Sequence, residues 1–173
     1  MRARANELIR RFGLAPHPEV GFYRETYRAS TRVMRGDDAE GAVTRAASTA
    51  IYYLLCDGAY SAWHRIRSDE VWHFYAGAPL DVHAIDDAGV LTTHRLGNAL
   101  EHADTVFQAV VPQGQWFAAH CRDPSTYALV GCTVAPGFEF GEFEMGDTAT
   151  LVARYPQHRL LIEQLGKRAA YND

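Results

Sequence analysis

Between residues 21 and 135 the chain falls into short segments in which apolar or aromatic residues alternate with polar ones: GFYRETYRAS, STAIYYLL, YSAWHRIR, EVWHFYAG, PLDVHAID, VLTTHRLG, VFQAVVP, QWFAAH and TYALVGCTVA. Turn formers separate them, among them Asp57-Gly58, Ala88-Gly89 and Gln113-Gly114. Side chains on a strand alternate between faces, so this rhythm predicts many short antiparallel strands folded as a sandwich or barrel. The fold class expected is all-β.

The ends read differently. Ala5, Leu8, Ile9 and Phe12 recur at helical spacing, Gly13 follows as a stop, and Pro16 and Pro18 bar continuation. Leu160, Leu161, Ile162 and Leu165 restore helical spacing near the C-terminus. One short helix is expected before the strands and one after. Residues 35–42, RGDDAEGA, read as a polar, mobile loop. At 173 residues, 47% of them hydrophobic, the chain suits one domain spanning 1–173 with a filled core.

Seventeen basic and twenty-one acidic residues give a net charge of −4, with no basic face of the kind that phosphate binding needs. Nucleic acid is not an expected partner. No apolar run approaches a bilayer's thickness and no leader pattern opens the chain, so neither a membrane nor secretion is expected. Cys56, Cys121 and Cys132 are odd in number and form no CxxC pair. They read as reduced, inert thiols of a cytoplasmic protein.

Residues 58–77, GAYSAWHRIRSDEVWHFYAG, carry a glycine, five residues, His64, Ile66 two places on, three residues, Glu70, six residues and Gly77. This resembles the first cupin motif, with Ile66 where the family has its second histidine. Pro112, Gly114 and Phe117 resemble the second motif, with Phe117 in place of its histidine. With PGFEFGEFE at 136–144, GFYRETYRAS and the Tyr155-Pro156 segment, the chain is similar to the cupin-5 subgroup, DUF985. That subgroup shares its fold with the deoxysugar 3,5-epimerases and seed-storage cupins. The resemblance implies a cupin double-stranded β-helix, a jelly-roll barrel with a ligand site at its mouth.

In metal cupins three histidines and a glutamate hold the ion. Here only His64 and Glu70 keep donor side chains, and two protein ligands make a weak site for a borderline metal. No metal and no cofactor is therefore expected. His64 and Glu70 are the candidate catalytic residues, as an organic acid–base pair: a histidine base held in one tautomer by a carboxylate, with a tyrosine acid implied by the resemblance to the deoxysugar epimerases. Tyr53, Ile66, Trp72, Phe74 and Phe117 are candidate substrate-binding residues by strand phase. Arg24 and Glu25, on the first strand, are candidates to complete a neighbouring pocket. Trp63, Arg65 and Arg67 alternate against His64 and should face a second sheet or subunit.

The ligand expected is a small molecule, with a sugar nucleotide among the candidates. The reading is a metal-independent isomerase or epimerase acting on a keto-sugar or similar polar carbonyl compound. The alternative is a non-catalytic cupin that senses or stores a ligand, and a metal-dependent dioxygenase ranks third. Large side chains on both faces of several strands point to a homodimer, with the first strand crossing the subunit boundary.

Overall fold

The structure, a computed structural model, describes residues 2–18, 20–34 and 44–167. The loop expected at 35–42 lies outside the described residues. Helix α1 (Arg2–Phe12) leads into β1 (Ala15–Pro16), β2 (Phe22–Arg28), β3 (Arg32–Val33) and β4 (Arg45–Ala46). The main strands follow: β5 (Thr49–Cys56), β6 (Tyr60–Arg65), β7 (Asp69–Gly77), β8 (Leu80–Ile85), β9 (Leu91–Leu96), β10 (Gln108–Val111), β11 (Trp116–Cys121) and β12 (Tyr127–Ala135). A two-residue strand, β13 (Glu144–Met145), precedes helices α2 (Thr148–Arg154) and α3 (Arg159–Gln164).

Two antiparallel sheets face each other, one ordered β1-β2-β5-β12-β7-β10 and the other β13-β6-β11-β8-β9. Successive long strands exchange sheets, β5 to β6 and β6 to β7, as a jelly roll requires. Between the sheets lie Leu55, Ile66, Trp72, Leu80, Val82, Ala84, Phe117, Ala119 and Val130. Their alternation along β8 and β11 is the period-2 pattern read as structure.

The outward faces are apolar too, and helices cover much of them. Helix α1 sets Ala5 and Leu8 against Leu54, Cys56 and Leu129 of one sheet. Helices α2 and α3 set Leu151, Val152 and Ile162 against Trp63, Ile85, Trp116 and Ala118 of the other. Trp63, expected to meet a second sheet or a subunit, is covered instead by this chain's own C-terminal helices. Its indole N–H donates to the Leu161 carbonyl at 3.3 Å. Arg65 shares that outer face, stacks 4.6 Å above the Trp116 ring and pairs with Glu144.

Two helices follow the barrel where the sequence suggested one. The additional one, α2, is capped by Asp147, whose carboxylate accepts from the Thr150 backbone N–H at 2.8 Å. The Asp147-Thr148 step is the signal that marks it.

Gly77 closes β7 with φ +102°, and a Cβ there would stand 2.3 Å from the Tyr127 carbonyl oxygen. The Gly77→Ala variant combines a strained backbone with a backbone clash. It is expected to lose about 2 kcal/mol or more of stability, read as a lower urea midpoint at unchanged slope.

Candidate functional site

The cavity lies between the sheets at one end of the barrel and holds about 360 Å³. Each sheet supplies one of its two polar side chains of interest. His64 comes from β6 and Glu70 from β7, so they stand on opposite walls.

His64 is buried, and its Nδ1 lies 2.7 Å from the Ala62 carbonyl oxygen. A carbonyl only accepts, so Nδ1 carries the proton and Nε2 keeps its lone pair. The ring lies 4.0 Å from Phe117 and stacks at 4.9 Å on Phe143, centroid to centroid. Burial in these aromatic surroundings pulls the His64 pKa down to about 4, against a smaller upward pull from the Ala62 hydrogen bond. The imidazole is neutral at pH 7.

Glu70 is also buried, and burial pushes its carboxyl up to about 7, partly countered by a hydrogen bond from the Cys132 thiol. Burial raises the Cys132 thiol in turn, and the neighbouring carboxylate raises it further. No hydrogen bond joins Glu70 to His64. The expectation that the carboxylate orients the imidazole is corrected: the Ala62 carbonyl performs that task, and Glu70 is engaged by Cys132. The separation follows from topology, since the turn between β6 and β7 carries the chain from one sheet to the other.

Tyr53, Trp72 and Glu25 also line the cavity. The Tyr53 hydroxyl donates to the Val20 carbonyl at 3.1 Å. Four other sequence candidates lie outside the lining. Ile66 and Phe117 are packed into the barrel core, at 4% and 1% exposure. Phe74 packs against the same core, beside a register shift between β7 and β12. Arg24 turns away and donates to the Phe12 carbonyl at the end of α1, at 2.8 Å. Glu25 serves its own chain's cavity: it pairs with Arg28 at 2.8 Å, and Arg28 pairs with Glu139 at 2.9 Å, forming a charged rim.

Several lining residues escaped the sequence reading, namely His17, Arg28, Cys132, Phe138, Phe140 and Phe143. The three phenylalanines belong to the 136–144 segment, which crosses from the end of β12 to β6, where Met145 pairs with His64. Its backbone is tied down on the way, Gly137 N–H to Ala46 O at 2.8 Å and Phe138 N–H to Thr49 Oγ1 at 2.9 Å. The repeated Phe-Glu pairs of that segment were its sequence signal.

Residues 6–146 match the family described as the cupin superfamily, DUF985. The chain belongs to that family, Cupin_5. Two solved structures agree over nearly the whole fold. Protein SO0799 from Shewanella oneidensis is 36% identical, with a TM-score of 0.82 over 95% of this chain and 98% of that one. A hypothetical protein from Leishmania major is 34% identical, with a TM-score of 0.82 over 95% of this chain and 99% of that one. Oxalate decarboxylase of Bacillus subtilis, 14% identical at a TM-score of 0.55 over 90% of this chain and 38% of that one, shares the fold. No curated protein matches.

Cupin folds commonly carry a metal, and the cavity of this Cupin_5 chain does not fit one. Ile66 and Phe117 offer no donor atoms, and no three metal-ligating side chains converge there among the described residues. What the arrangement can do is move protons. A neutral imidazole faces a carboxyl that titrates near pH 7, across a largely apolar space.

These shifts have opposite effects on stability. Glu70 has a raised folded pKa, so its contribution is fully present below about pH 4.5 and is lost as pH rises through about 7. His64 has a lowered one, so its contribution is present above about 6.5 and is lost as pH falls toward 4. Between pH 4.5 and 6.5 the slopes oppose. Glu70→Gln is expected to leave stability rising with pH across that window. His64→Asn is expected to leave it falling, with changes of up to about 3 kcal/mol in urea unfolding from pH 4 to 8.

Proposed function

We propose that this Cupin_5 protein binds a small polar carbonyl compound in its barrel and shifts a proton on it, as a metal-independent isomerase or epimerase. The observation that carries the proposal is the placement of a neutral imidazole with a free Nε2 and a carboxyl of pKa about 7 on opposite walls of one cavity. His64 Nε2 takes the proton next to the carbonyl. Protonated Glu70 delivers one from the other side, leaving imidazolium facing carboxylate. Inversion at a carbon needs such a pair, because removal and return occur on opposite faces. This revises the expected assignment: Glu70 replaces a tyrosine as the acid, and the Tyr53 hydroxyl serves to fix the wall.

The cavity's size bears on the substrate. About 360 Å³ suits a single sugar ring or a smaller molecule. A nucleotide carrier, if the substrate has one, would extend past the charged rim of Glu25, Arg28 and Glu139. The second reading is a non-catalytic binding cupin, favoured by the aromatic walls of Trp72, Phe138 and Phe143.

Incubation in D₂O with a panel of ketoses and α-hydroxy ketones, followed by proton NMR, separates the two readings. The enzyme reading expects deuterium at the carbon next to the carbonyl, with exchange falling above pH 7 as Glu70 loses its proton. Glu70→Gln and His64→Asn should each slow exchange by about 100-fold. A ligand that raises the melting temperature without any exchange would support binding alone.

The protein is further proposed to be a cytoplasmic homodimer. Its three cysteines are free and buried, which suits a reducing compartment. Among the described residues no helix is long and apolar enough to cross a membrane. The first strand, β2, pairs with β5 of its own chain, while its outer edge meets β1 only at Phe22 and Tyr23. The remaining edge, with Tyr27 56% exposed, is open to a partner strand among the described residues. Light scattering at micromolar protein is expected to give twice the 19.3 kDa chain mass, and a monomer mass overturns the dimer.

A further inference from the structure

The outer face of the five-stranded sheet holds a second cluster, separated from the barrel cavity by the sheet itself. Leu80, Val82 and Ala84 of β8 point into the barrel, so Asp81 and His83 point outward, two residues apart on one face. On the adjacent strand β11, His120 pairs directly with Asp81 and shares that face. One ligand atom from each of the three lies within 4.8 Å of the others.

The orientation of these side chains is already set. His83 Nδ1 is 2.8 Å from Thr93 Oγ1 on β9, which leaves Nε2 as the outward nitrogen. His120 Nδ1 is 3.1 Å from the Cys121 carbonyl, so Nδ1 carries the proton and Nε2 has the lone pair. The rings stand 5.4 Å apart at 24°. Asp81 Oδ2 accepts from Arg122 Nε–H, while Oδ1 has only an ion pair with Arg95 Nε at 3.6 Å, beyond hydrogen-bond length.

The cluster is buried and unsatisfied. Asp81 is 3% exposed and His83 6%, and Asp81 Oδ1 and His83 Nε2 have no hydrogen-bond partner. Orphaned buried polar atoms are costly and rare, and two that converge with the His120 Nε2 lone pair mark a place for an electron-pair acceptor. The surrounding charges do not oppose a cation. Arg122 pairs with Asp81, and Arg95 pairs with Asp104 and, at 3.6 Å, with Asp81, so the two guanidiniums and two carboxylates balance. His120 also borders a surface cleft of about 310 Å³ beside Tyr60, Arg122 and Gln164, which gives access from solvent.

We propose that Asp81, His83 and His120 form a binding site for a borderline divalent cation of the Zn²⁺ class. Two imidazole nitrogens and one carboxylate oxygen are the donors such ions prefer, and three protein ligands leave a coordination position for water. Thr93 and the Cys121 carbonyl play the outer role, holding each ring by its other nitrogen. Hard cations such as Mg²⁺ and Ca²⁺ want oxygen donors and do not suit the set. The site is independent of the proposed proton-transfer chemistry in the barrel.

The test uses full-length protein without a histidine tag, stripped with chelator and titrated with Zn²⁺ by calorimetry. One ion per chain is expected with micromolar or tighter affinity, undiminished by excess Mg²⁺ or Ca²⁺. His120→Ala and His83→Gln are each expected to weaken binding by about tenfold or more, while His64→Asn leaves it unchanged. His120 is half-buried and carries the test if His83→Gln fails to fold. Anomalous diffraction at the zinc edge should place the ion between the three side chains. Absence of saturable binding, affinity indifferent to both outer histidines, binding lost with His64→Asn, or an anomalous peak elsewhere would each overturn the site.

Discussion

The structure depends on one constraint: its central strands are apolar on both faces. Strand β11 alternates Trp116 and Ala118 outward with Phe117 and Ala119 inward, and all four are buried. Such a strand is stable only with cover on each side, and burying side chains of this size is worth about 2 kcal/mol each. The facing sheet supplies the inner cover and the terminal helices the outer. The barrel closure, the docking of α1, α2 and α3 and the position of the cavity all follow from that need.

The cavity exists where the inner packing stops. Ile66 and Phe117 fill the barrel below His64, and the 136–144 segment brings three phenylalanines over the top. With Trp72, those aromatic side chains make the cavity a dry, largely apolar space. The same dryness neutralises His64 and lifts Glu70, because charge is disfavoured in both groups away from water. The opposite shifts of the two groups thus share one physical cause.

Strand phase was legible in the sequence wherever the alternation was clean. His64 and Ile66 share a face, and His120 opposes Phe117 across β11, as period-2 counting implies. The helix α1 and its stop at Gly13 were legible for the same local reason, spacing and a glycine with φ +60°. The partners of those side chains were not. The Ala62 carbonyl under His64, the Cys132 thiol on Glu70 and the turn of Arg24 toward Phe12 depend on which strands become neighbours. No residue's own spacing encodes that.

The all-β class and the cupin motif pair could be read from the chain alone, because they rest on residue identity and local period. That His64 and Glu70 stand on different sheets rather than pairing is a product of the folded topology. It alone brought Arg28, His17 and the aromatic segment to the cavity, and set Asp81, His83 and His120 together on the outer face. The physical reason is that sheet order and register join residues far apart in the chain, and burial, which sets their protonation, is a property of that assembly.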